Sequence, residues 1–141
     1  MKRIIVLLTL ALALMYSTVA FASCNLDTTR WRWVGSDDKM GVFYDVKTLR
    51  FLNQYKNFVE FWFCVYCPNG CSVSGGEHYH YSLSRIDYSS NTMGTKSGVV
   101  RDTKGNIIGN FNYYNYRYEP ILPDSIGENI ATKIREDYSL R

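Results

Sequence analysis

Only two histidines and four cysteines occur among the 141 residues, which leaves little material for a hydrolytic or metal centre. Gly-x-Ser-x-Gly, His-Glu-x-x-His and a phosphate-cradling Gly-rich loop are all missing. The spacings that serve acyl transfer, zinc proteolysis and nucleotide binding are therefore not in place. Neither histidine stands beside a nucleophile, and the acidic residues are scattered mostly in turns and at strand ends, so no glycosidase pair stands out. The chain reads as a non-enzyme, with no cofactor expected. No run of Lys or Arg forms a stripe, which speaks against nucleic acid. Without internal repeats or a low-complexity linker, this length makes one small domain.

A long apolar run occurs only at the beginning. Met1-Lys2-Arg3 is followed by Ile4 to Met15, apolar except for Thr9, and the stretch closes on Ala20-Phe21-Ala22. Charged start, apolar middle and small-residue exit predict a secretory signal peptide over residues 1–22. The dozen apolar residues fall short of the roughly 20 that a membrane-spanning helix needs, and an anchor running on through Phe21 must accommodate Tyr16-Ser17-Thr18. Phe21-Ala22-Ser23-Cys24 also resembles a bacterial lipobox, in which Cys24 would be acylated, although Phe stands where Leu is usual. The plain signal peptide is the preferred reading. Cleavage after Ala22 leaves a single domain of residues 23–141. It also takes Lys2 and Arg3 away, leaving 14 basic against 13 acidic residues. A nearly neutral domain has no field to steer a polyanion. No later stretch has membrane length, so export to the periplasm, the cell surface or the medium is expected, with no membrane span after cleavage.

Aromatic residues, in contrast, are plentiful: 3 Trp, 12 Tyr and 7 Phe. A chain with this much surface to bury is not disordered. Its patterning is mostly of period two. Trp31 and Trp33 share one face of a short strand, Gly35 to Asp38 reads as a turn, and Gly41 to Tyr44 as a second strand. Asp45 can cap a helical turn through Leu49. Over Asn57 to Tyr66, Val59, Phe61, Phe63 and Val65 alternate with Phe58, Glu60, Trp62, Cys64 and Tyr66. Apolar on both faces, this strand is expected at the centre of the sheet. In His78 to Tyr88, Tyr79, Tyr81 and Leu83 alternate with His78, His80, Ser82 and Ser84, and the phase of Ile86 suggests a bulge near Arg85. Met93 to Arg101 and Asn106 to Tyr116 form a hairpin around Asp102-Thr103-Lys104-Gly105.

The period changes at the end. Pro120 and Pro123 are expected to break strand pairing, and Ser125-Ile126-Gly127-Glu128 has capping-box spacing. Ile126, Ile130 and Ile134 then follow at intervals of four, so one amphipathic helix of three to four turns is predicted. So short a helix is marginal alone and must dock on a sheet face. The fold class is α+β, an antiparallel sheet of about six strands with one C-terminal α-helix packed on a sheet face.

The stretch Cys64-Val65-Tyr66-Cys67-Pro68-Asn69-Gly70-Cys71, with His78 and His80 nearby, carries the most chemistry. Disulfides are the favoured reading for an exported domain. Cys67 and Cys71 flank a tight turn and can pair, leaving Cys64 for Cys24; Cys64 with Cys71 is also open. Zinc held by Cys64, Cys67, Cys71, His78 and His80 is the sharper alternative, in which the chain is a periplasmic metal-binding or thiol/disulfide module. Against it, an oxidising compartment removes the thiolates, and two histidines on a hydrated strand face need no ligand. A redox pair is disfavoured, because Cys64 ends a strand rather than opening a helix, and period two puts Cys64 and Cys67 on opposite faces. Tyr114, Tyr116 and Tyr118 fall on one face of their strand and are a candidate binding face. The plainer reading, preferred here, is that these rings cover the sheet or pack beneath the helix.

Taken in order, Trp33-Val34-Gly35-Ser36-Asp37-Asp38, Tyr44-Asp45 with Thr48-Leu49, the long aromatic strand, the hairpin of Asp102 to Asn106 and Ile121-Leu122-Pro123-Asp124-Ser125-Ile126-Gly127-Glu128 form a series of landmarks. The chain thereby resembles the surface-adhesin protein E family of bacterial envelope proteins. That resemblance implies an antiparallel sheet with a C-terminal helix, an envelope location, and adhesion to a host extracellular-matrix or serum glycoprotein. The family's best-known adhesin fixes its helix to the sheet through a disulfide. This chain departs there, since no cysteine follows Cys71, and its helix is expected to be held by packing alone.

Overall fold

A computed structural model of the chain describes residues 24–71 and 76–140. The expected signal peptide and its cleavage point lie outside the described residues.

Seven antiparallel strands form one sheet: β1 (Trp31–Ser36), β2 (Gly41–Asp45), β3 (Arg50–Phe51), β4 (Phe58–Cys67), β5 (His78–Asp87), β6 (Thr92–Asp102) and β7 (Ile107–Pro120). Their order is β1-β2-β4-β5-β6-β7, with the two-residue β3 beside β4. One helix, α1 (Ile126–Asp137), follows. The α+β expectation holds at this level, with the sheet dominant.

The alternation in β4 divides the molecule. Val59, Phe61, Phe63, Val65 and Cys67 face the helix, where Val59 and Phe61 are fully buried with Tyr44, Ile86, Ile130 and Ile134. Burying each isoleucine is worth roughly 1.5–3 kcal/mol, enough to hold a helix that is marginal by itself. Glu60, Trp62, Cys64 and Tyr66 point to the other, outer face, where Tyr66 and Tyr79 stack at 4.9 Å. Trp31 of β1 and Tyr81 of β5 lean over the two intervening strands to meet at 5.5 Å. The central position of β4 follows from this covering on both sides.

Ser125 caps the helix as the spacing predicts, but the return bond to Glu128 comes from Asp124, one residue before the cap. Ser125 Oγ accepts the Glu128 amide at 3.1 Å, while the Asp124 amide donates to Glu128 Oε2 at 2.7 Å. Asp45 starts a single helical turn, accepting the Leu49 amide on its carbonyl at 3.2 Å and the Lys47 amide on its carboxylate at 3.0 Å. Gly105, at φ 86°, supplies the left-handed residue that the β6–β7 turn requires.

Three expectations need correction. No bulge interrupts β5 at Arg85: the register with β4 is unbroken from Phe58↔Asp87 to Cys67↔His78. Ile86 simply continues the helix-facing series of His78, His80, Ser82 and Ser84. The extra residue is Lys96, on the neighbouring strand β6. Pro120 does not end pairing but sits opposite Thr92, because β7 is the edge strand and one side of it needs no partner. Nor is α1 held by packing alone: Tyr44 Oη donates to Asp137 Oδ2 at 2.6 Å and Tyr88 Oη to the Ala131 carbonyl at 2.8 Å.

Candidate functional site

A groove of about 500 Å³ lies between the helix face of the sheet and the approach to α1. Phe63 and Val65 of β4, Met93 of β6 and Ile121, Leu122 and Ile126 line it, so its walls are mainly apolar. At one end stand His80 and the Cys67–Cys71 disulfide. Strand pairing builds this end: Cys67 is directly opposite His78, and Val65 opposite His80. The Cys67 sulfur and one ring nitrogen of each histidine lie within 4.8 Å of one another.

These histidines are not on a hydrated face. His78 is 1% exposed and its Nδ1 lies 2.7 Å from the Gly76 carbonyl. A carbonyl only accepts, so Nδ1 is the donor there and Nε2 is the nitrogen turned elsewhere. Among the described residues, neither His78 Nε2 nor His80 Nε2 has a hydrogen-bond partner, although both atoms are buried. Burial, and then the neighbouring His78, hold the His80 imidazole below its ordinary pKa. The two rings approach to 4.7 Å between centroids.

Cys64 does not join this set. It projects from the outer face opposite Tyr81 and is fully buried among Tyr66 and Tyr79, with Cys24 packed beside them. Cys67–Cys71 is formed, with Cα atoms 5.6 Å apart, so the alternative Cys64–Cys71 pairing is not realised. Cys24 and Cys64 share one cluster as free thiols. Burial is the main force pushing the Cys64 thiol pKa up.

Glu60 centres a second constellation on the outer face. It accepts Tyr116 Oη at 2.6 Å and Arg85 Nε at 2.7 Å, and it pairs with Arg50. Burial alone would raise its pKa; these three donors outweigh that and hold it down to about 2. Arg85 also stacks on the Tyr116 ring at 4.1 Å. A hollow of about 380 Å³ opens farther along this face, walled by Trp31, Trp62, Tyr81, Arg30 and Arg101. Nothing in the sequence signals this hollow, since period two aligns Trp62 with its own strand but cannot bring β1 and β5 rings together over it.

The tyrosine row is split by a large irregularity. Between Ser97↔Asn112 and Thr95↔Arg117, β7 runs through residues 113–116 while β6 spends only Lys96. Tyr116 is absorbed by Glu60. Tyr118 lies over Gly94, where an added Cβ would come within 2.7 Å of its ring, and Phe111 covers Gly98 in the same manner. These rings fill space that glycine leaves open. Tyr114, at the irregularity, is 97% exposed, and Ile107 and Ile108 at the start of β7 are also exposed.

No family model matches the chain, and no curated protein and no solved structure is significantly similar to it. Among the described residues no helix is long and apolar enough to cross a membrane.

Proposed function

We propose that this chain is an exported, non-enzymatic binding protein of adhesin-like character, acting at the cell surface or in the periplasm. Its partner is a host extracellular-matrix or serum glycoprotein, met through the β7 edge of the sheet. One observation carries this reading. A fourteen-residue edge strand stands largely exposed, with Tyr114, Ile107 and Ile108 turned to solvent. An open edge offers unpaired amides and carbonyls to a further strand, and exposed tyrosine is enriched where proteins meet. The charged-apolar-small order of residues 1–22 supports export, as does Cys67–Cys71, a bond that persists in oxidising compartments.

The experiment is a binding screen of the domain of residues 23–141 against immobilised matrix and serum glycoproteins, alongside the Tyr114→Ala/Ile108→Lys variant. Saturable binding that the variant weakens by more than about 10-fold supports the reading, since a hot-spot residue is worth 2 kcal/mol or more. Absence of saturable binding to every protein, or binding indifferent to both substitutions, refutes it.

A further inference from the structure

The Cys67–Cys71 end of the groove has more ligand chemistry than a structural disulfide needs. His78 contributes a fully buried ring whose Nδ1 is already occupied and whose Nε2 has no hydrogen bond among the described residues. A buried, unsatisfied nitrogen is costly, and His80 Nε2 repeats the cost on the same face. One ring nitrogen of each histidine lies within 4.8 Å of the Cys67 sulfur, and Cys71 is covalently attached to that sulfur. Gly76 holds His78 as an outer carbonyl partner holds a metal-ligating histidine.

We propose that Cys67, Cys71, His78 and His80 form a redox-gated zinc site, shut while the disulfide stands and opened by a dithiol reductant. In the opening step the S–S bond takes two electrons and two protons from the dithiol, which leaves as its own disulfide. Zn²⁺ then displaces the protons of the Cys67 and Cys71 thiols and accepts the Nε2 lone pairs of His78 and His80. Two thiolates and two neutral imidazoles around Zn²⁺ give a complex without net charge, suited to a buried position. Two sulfur and two nitrogen donors also match the tetrahedral preference of zinc. In such a tetrahedron the donor atoms are about 3.3–3.8 Å apart; the Cys67 sulfur and a ring nitrogen of each histidine already lie within 4.8 Å of one another, and reduction frees the Cys71 sulfur to move away from Cys67 to the fourth position. The groove, which His80 and both cysteines line, provides an entry path. The site lies on the helix face, away from the outward-turned residues of β7, and does not depend on the binding role proposed above.

The test is a zinc titration of the domain of residues 23–141, oxidised and after reduction by a phosphine, read by native mass spectrometry. One zinc per chain is expected in the reduced protein and none in the oxidised protein. Cobalt substitution should give a thiolate-to-cobalt charge-transfer band that Cys71→Ser diminishes. His80→Ala should lower zinc affinity by more than about 10-fold, because even outer partners of a ligand are worth that much. Cys64→Ser and Cys24→Ser should leave affinity unchanged, which separates this site from the other thiols. Equal zinc uptake by the oxidised protein overturns the proposal. So does a reduced protein that takes up no stoichiometric zinc, whether folded or not, or one whose uptake ignores His80→Ala.

Discussion

Tyr44 donates its hydroxyl to Asp137 at 2.6 Å, joining the second strand to the last residue of the helix across most of the chain. The ring is fully buried. Burial would raise the Asp137 pKa, but the bonds from Tyr44 and Lys133 prevail and lower it. Tyr44→Phe should therefore cost about 1.5–3 kcal/mol at neutral pH, as expected for a hydrogen bond to a charged group. Urea denaturation at pH 7 checks this. An unchanged midpoint would mean that the hydroxyl does not hold the helix.

Glu60 makes the protein sensitive to acid. Its folded pKa of about 2 lies below the ordinary 4.5. The stabilisation from its ionised form is complete above about pH 4.5 and is lost as the pH falls toward 2. Other aspartates with lowered pKa values, such as Asp37 and Asp102, act in the same direction. Glu60→Gln should reduce stability at pH 7 by about 3 kcal/mol, because Arg85 and Arg50 lose a buried partner. It should also flatten the stability profile between pH 4.5 and 2. Parallel wild-type and variant profiles over that range would show that Glu60 is not the group titrating.

Two glycines on β6 should respond differently to alanine. A Cβ at Gly98 would lie 2.5 Å from the Phe111 ring and 2.8 Å from the Tyr81 carbonyl, which is backbone and cannot swing away. At Gly94 the nearest atoms all belong to the Tyr118 ring, which is side chain rather than backbone and is partly exposed. Gly98→Ala should cost about 2–3 kcal/mol and Gly94→Ala about 1 kcal/mol or less. Thermal melts of the two variants, side by side, give the comparison; equal losses would mean that the Tyr81 carbonyl is not a barrier.

Thiol chemistry should sort the four cysteines into three classes. Cys64 is fully buried with its thiol pKa raised, so it should resist alkylation in the native protein. Cys24 is half-buried and should react sooner. In urea without reductant two thiols should label, and after reduction all four. No labelling in urea would mean that Cys24 and Cys64 are bridged, a pairing that the sequence left open.

What was legible beforehand is mostly local. The face assignment of β4, the capping role of Ser125 and Glu128, the Gly105 turn and the Cys67–Cys71 pairing each depend on residues a few positions apart. Period two also put His78 with His80 and set Cys64 against Cys67. It could not say that the histidine face is the buried one, because that depends on Cys67 and Val65 of β4 lying opposite them beneath the approach to α1. The phase of Ile86 points to a bulge near Arg85, yet the extra residue is Lys96, since a change of phase in one strand does not tell which partner carries it. Tyr116 and Tyr118 became structural for a related reason: Glu60 reaches Tyr116 only through the register of four strands, and Gly94 meets Tyr118 through the β6–β7 register.

Hydrogen–deuterium exchange of the domain of residues 23–141, with and without a saturating matrix or serum glycoprotein from the screen, addresses the β7 edge most directly. Slower exchange concentrated in residues 107–120, with the β1 edge unchanged, is the predicted result. Exchange in those residues that is unaffected by the bound glycoprotein, or protection confined to β1, would contradict it.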